Sequence, residues 1–508
     1  MVIKSILLVV FFAIMVFVGW YARKHSKTVD GFVLGGRNAG PWLTAFAYGT
    51  SYFSAVVFVG YAGQFGWKYG VAATWIGIGN ALIGSLLAWV VLGRRTKVMS
   101  QHLQSKTMPD FFGSRYRSEA LKITASFIVF IFLVPYTASI YNGLSRLFGM
   151  AFDIPYTVCV VVMAVFTGVY VILGGYMATA INDFIQGLIM LGGIVAIIGA
   201  VLSGQGGFLS AIQKLSEIPS DAVPTLGQAG AFASFFGPDP VNLLGVVILT
   251  SLGTWGLPQM VGKFYAIKDE KSIKTGTVIS TVFAIVISCG CYFLGGFGRL
   301  FESDAIRGEQ GNIIYDSIVP HMLSSLPDIL IGIVVVLVLS ASMSTLASLV
   351  LASSSTLTLD FLKGRVLRKM SEKKQVLVMQ LLVIFFIAVS VAFALNPPTF
   401  IAQLMGVSWG ALAGAFLAPF LYGLYWKRVT KAAVWASFIS GVGITVSNMF
   451  FSYIASPINA GAIAMIAGLI VVPVVSLLTP KPEKEHIEKT FACYEEKVVI
   501  TKKHSLME

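Results

Sequence analysis

Residues 250–259 read Thr250-Ser-Leu-Gly-Thr-Trp-Gly-Leu-Pro258-Gln259 and lie within a long apolar run. Two glycines and a proline fall within six residues, a combination that predicts a break or sharp kink in a helix. Lipid cannot hydrogen-bond the amides and carbonyls that such a break frees, so interrupted backbone inside a membrane has to line a cavity. The stretch therefore predicts a membrane protein with an internal site, if the rest of the chain is built from membrane-spanning helices.

The composition meets that condition. The 508 residues are 56% hydrophobic and 12% charged, whereas about a quarter of the residues in a typical globular chain are charged. The apolar residues fall in runs of about twenty, the length of a helix that crosses a hydrocarbon core. A membrane β-barrel would instead show alternating strands of about ten residues. These features exclude a secreted, cytosolic or nuclear protein and predict an all-α polytopic membrane protein.

About thirteen apolar runs are long enough to span a membrane, and the charges between them predict its orientation. With the amino terminus outside, 30 of the 36 Lys and Arg residues fall in segments on the cytoplasmic side, as the positive-inside rule requires. This pattern predicts a cytoplasmic carboxyl terminus and a plasma-membrane location, and it argues against nucleic-acid binding as the reason for the net charge. The predicted spans are approximately 3–21, 42–65, 71–93, 122–149, 155–173, 177–203, 241–262, 276–299, 328–358, 375–396, 399–426, 432–454 and 459–479.

The second span resembles the seventh in having unusual residues at mid-depth. It reads Ala45-Phe-Ala-Tyr-Gly-Thr-Ser-Tyr-Phe-Ser54, with a glycine and three small hydroxyl-bearing residues. Each of these two spans begins a set of five, and interrupted helices at corresponding places in two repeats indicate the central site of a transporter. The alternative for either span alone is a tolerated kink packed against its neighbours. The pattern favours a 5+5 inverted-repeat core.

This organisation predicts four parts of the chain. They are a first transmembrane helix with a cytoplasmic loop (1–41), a transport core (42–426, with halves 42–203 and 241–426), two peripheral transmembrane helices (427–479), and a cytoplasmic tail (480–508) that we expect to be a solvated or partly helical appendage.

The ninth span carries a face of small and hydroxyl-bearing residues. Their spacing of i, i+3, i+4 and i+7 places them on one side of a helix. Sodium is a hard cation that prefers oxygen ligands, which hydroxyls and freed carbonyls supply; close helix packing by small residues is the alternative. The residues are Ala341, Ser344, Thr345 and Ser348.

Asp183 is the one acidic residue that we place within a span, near the inner end of the sixth. An ionisable group at that depth usually faces a water-filled or ion-bearing cavity, although a carboxylate at the interface or at a helix end is the alternative. No histidine accompanies it in the predicted spans. An integral-membrane enzyme would need several convergent ionisable groups, so the sequence predicts that the protein is not an enzyme.

Four stretches, in order and in register, resemble the sodium/solute symporter family, whose members transport proline, pantothenate, sialic acid, sugars and monocarboxylates. The resemblance covers roughly residues 30–440 and implies a leucine-transporter-like core. The stretches are Gly174-Gly-Tyr-Met-Ala-Thr-Ala-Ile-Asn-Asp-Phe-Ile-Gln-Gly187, Trp255-Gly-Leu-Pro-Gln-Met-Val-Gly-Lys-Phe-Tyr-Ala-Ile-Lys268, Ala341-Ser-Met-Ser-Thr-Leu-Ala-Ser348 and Ala418-Pro-Phe-Leu-Tyr-Gly-Leu-Tyr-Trp-Lys-Arg428.

The resemblance also implies the site residues. Sodium would be bound by the carbonyls of Thr50, Phe53 and Ala341 and by the hydroxyls of Ser344 and Thr345. Some members bind a second sodium, and here Asp183, Ser344 and Ser348 match that site, whereas Ala347 stands where those members have serine. The positions that match the family's solute pocket are Ser54, Thr250, Thr254, Trp255, Pro258 and Gln259.

The predicted function is the sodium-coupled import of a small polar organic solute by alternating access, with sodium, the solute and the lipid bilayer as partners. Tyr52 stands where proline-type members carry an acidic residue, which argues against proline itself. Amino acids, pantothenate-like acids and short carboxylates all fit the predicted pocket. A sensor that retains the transporter fold and a proton-coupled transporter are the alternatives. The sequence implies no oligomer.

Overall fold

Most of the residues that the structure describes are helical. The computed structural model describes residues 2–152, 154–220, 230–366, 369–396 and 401–494. Within these ranges there is no β-strand, and extended pairing is limited to two isolated bridges, Ala39 with Ile267 and Arg307 with Ile313. The predicted all-α class is therefore correct.

The described residues up to 220 form ten α-helices. π-Helical turns at Val56–Tyr61, Asn80–Leu87 and Trp89–Gly93 join some of them into longer rods. The helices are α1 (Val2–Ala22), α2 (Val29–Leu34), α3 (Pro41–Tyr52), α4 (Ala62–Tyr69), α5 (Thr74–Gly79), α6 (Arg94–His102), α7 (Met108–Arg115), α8 (Glu119–Phe152), α9 (Tyr156–Gly204) and α10 (Phe208–Glu217).

The described residues from 230 to 494 form eleven more, with π-helical segments at Ile285–Cys289 and Leu357–Val366. They are α11 (Pro240–Gly253), α12 (Pro258–Ala266), α13 (Glu270–Ala284), α14 (Gly290–Gly295), α15 (Tyr315–Ser324), α16 (Asp328–Thr356), α17 (Glu372–Leu395), α18 (Ile401–Tyr425), α19 (Lys431–Phe451), α20 (Pro457–Leu478) and α21 (Lys484–Phe491). Short 3₁₀ turns lie at Arg23–His25, Gly35–Arg37, Gly70–Ala73, Ala231–Ala233, Gly298–Phe301 and Asp304–Ile306.

Eleven helical segments of the described chain are long and apolar enough to cross a membrane. Two of them, Val56–His102 and Tyr156–Gly204, contain 47 and 49 residues, or roughly 70 Å of helix against a hydrocarbon core of about 30 Å. Each is interrupted by a glycine with positive φ, Gly70 (φ 62°) and Gly175 (φ 53°). The predicted boundaries between spans two and three and between five and six fall there, but the count of thirteen spans stays a prediction.

The packing places the interrupted α3 beside α16. Helix α16 contacts α1, α3, α8, α9 and α17, whereas α18 contacts α8, α11, α19 and α20. Helix α3 is enclosed by α9, α12, α13 and α16. Glycine contributes to this enclosure, because Gly49 stays helical and a Cβ there would lie 2.4 Å from the Phe283 ring. Helix α3 therefore lies in the interior of the helical bundle, next to α16.

Candidate functional site

The second span is broken immediately after α3. Phe53 is extended (φ −109°, ψ 105°), and the Ser54 hydroxyl accepts a hydrogen bond from the Val56 amide at 3.2 Å. A break of this kind frees carbonyls that a continuous helix would use internally. The Thr50 carbonyl, one turn before the break, instead accepts hydrogen bonds from side chains of α16.

The predicted sodium ligands on α16 do meet this carbonyl. The Ser344 hydroxyl lies 3.0 Å from the Thr50 oxygen and 3.0 Å from the Ala341 oxygen. The Thr345 hydroxyl lies 3.1 Å and 3.0 Å from the same two oxygens. Phe53 follows at the break, and in the described part of the chain its carbonyl is not bonded to either hydroxyl. The structure thus brings four of the five predicted ligands together.

This donor set suits an alkali cation. The four groups are two carbonyls and two hydroxyls, all buried and all neutral oxygens, which are the ligands that a hard cation prefers. Neutral oxygens at the middle of a membrane protein otherwise have to satisfy one another, as these do. Ser348, on the same face of α16, also points to the second span, with its hydroxyl 2.8 Å from that of Ser51.

The seventh span is broken between α11 and α12. Gly253 ends α11 and Pro258 begins α12, as the sequence predicts. The two breaks are connected, because the Tyr52 hydroxyl donates to the Thr250 carbonyl at 2.6 Å. The corresponding places in the two halves therefore meet inside the molecule.

The six predicted solute residues divide into two groups. Ser54 and Thr250 lie at the two breaks, and the polar groups of Thr254 and Trp255 donate to the Gly84 and Ile83 carbonyls at 3.1 Å and 3.0 Å. These two side chains thus use their hydrogen bonds within the protein. Pro258 and Gln259 belong to a separate cavity.

That cavity has a volume of about 50 Å³ and lies on the side of the predicted cytoplasmic loops. Both polar atoms of the Gln259 amide are buried there without a hydrogen-bond partner in the described part of the chain. The cavity is lined by Val33, Leu34, Lys106, Thr107, Met108, Tyr176, Pro258, Gln259, Gly262, Lys263, Ser348, Leu351, Ala352, Ser355 and Thr356.

Lys263 lines the same cavity, although it falls one residue beyond the predicted seventh span of 241–262. It lies within α12 and is 3% exposed. Its ammonium donates to the Ser348 hydroxyl at 2.9 Å and lies 3.6 Å from the Asp183 carboxylate. Its position four residues after Gln259 could have indicated this location, because residues i and i+4 lie on the same face of a helix.

Asp183 is fully buried, as expected, but it is not the lone buried acid. Asp360 is also fully buried; it accepts a hydrogen bond from the Thr107 hydroxyl at 2.6 Å and lies 3.6 Å from the Lys122 ammonium. Asp316 is 3% exposed and accepts from the Ile401 amide at 3.3 Å. Asp360 was missed because the ninth span continues as helix to residue 366, beyond its predicted end at 358.

Comparison with known proteins identifies the family. A family model described as the sodium:solute symporter family matches residues 32–441. The chain belongs to the sodium:solute symporter family. Among relatives of this symporter-family chain, the osmoregulated proline transporter OpuE of Bacillus subtilis (strain 168) is 28% identical over 487 residues, covering 94% of each chain. The sodium/proline symporter of Staphylococcus aureus (strain JH9) is 30% identical over 504 residues, covering 94% of this chain and 93% of its own.

Solved structures show the same fold for this sodium:solute symporter family member. A substrate-bound, outward-open, sodium-coupled sialic acid symporter has a TM-score of 0.74 at 17% identity and covers 95% of this chain and 99% of its own. A nucleobase–cation symport transporter, Mhp1, has a TM-score of 0.52 at 13% identity, covering 90% and 97%. The predicted family is therefore confirmed, and since the relatives are transporters, so is the prediction that the protein is not an enzyme. The individual site residues stay predictions.

Proposed function

We propose that this protein is a sodium-coupled symporter that imports a small polar organic solute across the plasma membrane by alternating access. The observation that carries the proposal is the meeting of the Ser344 and Thr345 hydroxyls with the carbonyl of Thr50 next to the second-span break. Interrupted helices of this kind bind the coupling ion and the solute in transporters with two repeats. The named sodium-coupled relatives support the choice of ion.

Sodium in this proposal is held by Thr50, Phe53, Ala341, Ser344 and Thr345. A cation there attracts the carbonyls of α3 and the hydroxyls of α16 simultaneously, so it favours one arrangement of the second-span break. The solute binds beside that break and gains affinity from the same arrangement. Such coupling is reciprocal and commonly amounts to about 1–3 kcal/mol. Membrane voltage adds about 2.3 kcal/mol per charge per 100 mV.

The solute position in this proposal lies between the two breaks and the cavity, at Ser54, Thr250, Thr254, Trp255, Pro258 and Gln259. The relatives named as proline transporters make amino acids the first class to test. Tyr52 hydrogen-bonds to Thr250 at the place where proline-type members carry an acidic residue, so we expect an amino acid or small carboxylate other than proline to be preferred.

The experiment is solute uptake into proteoliposomes that contain the purified protein. Solutes are first selected by thermal-shift measurements with and without sodium, with proline included. We expect the selected solute to accumulate under an inward sodium gradient and not under an equal potassium gradient. Accumulation driven by a proton gradient without sodium would establish the proton-coupled alternative, and solute binding without any transport would establish the sensor.

A further inference from the structure

The Lys263 ammonium is enclosed at the inner end of the hydroxyl face of α16. Lys263 is only 3% exposed. Its ammonium has three partners: the Ser348 hydroxyl at 2.9 Å, the Asp183 carboxylate at 3.6 Å and the face of the Tyr176 ring at 5.4 Å. A buried ammonium needs compensation by an opposite charge and hydrogen bonds, and these partners supply both. We propose that Lys263 is a tethered cation that fills the second cation position, so that one sodium ion accompanies each solute. This proposal rests on the proposed function.

The geometry explains why a second sodium is excluded. The residues that match the second sodium site are Asp183, Ser344 and Ser348. The Lys263 ammonium already contacts two of them, Asp183 and Ser348. A metal cation between them would be repelled by the ammonium and would have to displace it from a buried position. Ala347 adds no oxygen at the neighbouring position. The position is thus complete without sodium.

The tethered charge is also connected to the first sodium position. Ser348 hydrogen-bonds to the Ser51 hydroxyl at 2.8 Å, and Thr345, one turn before Ser348, contacts the Ser51 carbonyl at 3.4 Å. A fixed positive charge therefore stands about one helical turn from the site that loads and releases sodium. Unlike a bound ion, this charge cannot leave the protein, so it organises Ser348 and Asp183 in every state of the cycle and contributes no transported ion.

The test is the sodium stoichiometry of the purified full-length protein, measured by equilibrium binding of radioactive sodium in detergent. We expect one sodium per wild-type chain, and one in Asp183→Asn, because Asp183 contacts the lysine and not sodium. Two sodium ions per wild-type chain would overturn this inference alone. Binding of no sodium would instead overturn the proposed function, so the two failures are distinguishable.

Replacing Lys263 by an uncharged residue tests the inference in the opposite direction, because it should create a second sodium site. In Lys263→Met, Asp183 and Ser348 become available, and we expect two sodium ions per chain and a Hill coefficient for sodium-dependent thermal stabilisation that rises from about 1 to about 2. Lys263→Arg retains a positive charge, so this variant should still bind one sodium ion per chain. A Lys263→Met protein that binds a single sodium would contradict the inference. If that variant does not fold, Lys263→Met with Asp183→Asn removes both charges, and it should be folded and bind one sodium; two would overturn the inference.

Discussion

Ser344 and Thr345 show how two hydroxyls can both complete a fold and bind an ion. Each hydroxyl lies within hydrogen-bonding distance of both the Thr50 carbonyl and the Ala341 carbonyl of its own helix, and its single proton can be donated to either. Hydrogen bonds of this type contribute about 0.5–1.5 kcal/mol each to stability. The same oxygens accept a cation readily, because the hydroxyl proton can turn away while the lone pairs face the ion.

The first prediction concerns these two side chains. Ser344→Ala with Thr345→Ala removes two ligands, and we expect sodium affinity to fall roughly 100-fold, since each lost ligand costs on the order of 1.4 kcal/mol. Sodium-stimulated uptake in proteoliposomes should disappear while the protein is still produced and folded. The control is Ser342→Ala, whose hydroxyl bonds to the Val338 carbonyl of its own helix. Normal sodium dependence in the double variant would remove the ion-site assignment.

A second residue-scale prediction concerns Gln259. A buried amide without partners destabilises a protein by about 1–3 kcal/mol, so Gln259→Leu should leave thermal stability unchanged or raise it. If the amide binds the solute, the same change should weaken solute binding about 10-fold, which isothermal titration would measure. Gln380→Leu, far along the chain and bonded to the Ile172 carbonyl, is the control and should not affect solute affinity. Equal affinity in both variants would exclude Gln259 from the pocket.

The helix breaks are the elements that sequence predicts best, because their cause is local. Gly253, Gly256 and Pro258 make a continuous helix unfavourable wherever they are placed, and the break between α11 and α12 lies among them. The Lys263–Asp183 pair is different, since its partners are 80 positions apart in the sequence and meet only through the packing of α9 and α12 against α3. The sequence therefore located the interrupted helices and the α16 face but not the buried lysine.

One element-scale prediction concerns the close packing of α4 on α14. A Cβ at Gly66 would lie 1.9 Å from the Gly295 carbonyl oxygen, and the nearest atoms that it would meet all belong to the Gly295 backbone, which cannot rotate away as a side chain can. Gly66→Ala should therefore force the two helices apart, and overpacking of this kind typically costs about 1–3 kcal/mol. We expect a lower melting temperature in detergent. Gly192→Ala, where nothing lies within 4 Å, should be neutral or slightly stabilising; equal melting temperatures for both variants would contradict this packing.

The tail helix α21 packs against the rest of the protein, a contact that the sequence does not predict. The tail was expected to be solvated or partly helical; α21 is a helix, and Ile487, Phe491 and the following Cys493 are buried. The Arg115 guanidinium lies over the Phe491 ring at 5.0 Å. Residues 495–508 of the predicted tail lie outside the described residues. The described part of the tail is thus docked on the body of the protein.

Docking of α21 should depend on pH through His486. Its imidazole Nε2 lies 3.0 Å from the Arg115 carbonyl oxygen. Burial lowers the pKa of His486 from 6.5, and Arg117 and Arg115 lower it further, against the hydrogen bond to the Arg115 carbonyl and the charge of Glu483. The docked state therefore favours neutral histidine. Its contribution is present above about pH 6.5 and is lost as the pH falls through the lower pKa of the docked state.

The measurement is the rate of thiol labelling at Cys493 in a background without the other three cysteines. We expect the labelling rate at pH 5.5, relative to His486→Gln at the same pH, to exceed the corresponding ratio at pH 7.5. Glutamine supplies the same donor without a titrating charge, so the comparison cancels the pH dependence of the thiol itself. A constant ratio would show that His486 does not control docking.

At the scale of the whole molecule, the question is whether the 47-residue segment Val56–His102 crosses the membrane once or twice. If Val56–His102 crossed the membrane once, residues 103–118 would lie outside, together with Lys106, Arg115 and Arg117. If it crosses twice by turning at Gly70, the same loop is cytoplasmic. The positive-inside rule favours the second arrangement. If Tyr156–Gly204 likewise turns at Gly175, the number of crossings rises from 11 to 13 and stays odd, so the position of the carboxyl terminus does not separate these two arrangements.

The loop between α6 and α7 does separate them. Gln104 is exposed there, and Gln104→Cys in a background without the four native cysteines should react with a membrane-impermeant maleimide only after the membrane is opened. Leu209→Cys in α10, where the side chain is 80% exposed, should react in intact cells, because the arrangements with 11 and with 13 crossings both place α10 outside when the amino terminus is outside. Labelling of Gln104→Cys in intact cells would mean that the 47-residue segment spans only once. Failure of Leu209→Cys to react there, with reaction after opening, would mean either that the whole protein is inverted or that only one of the two long segments crosses twice.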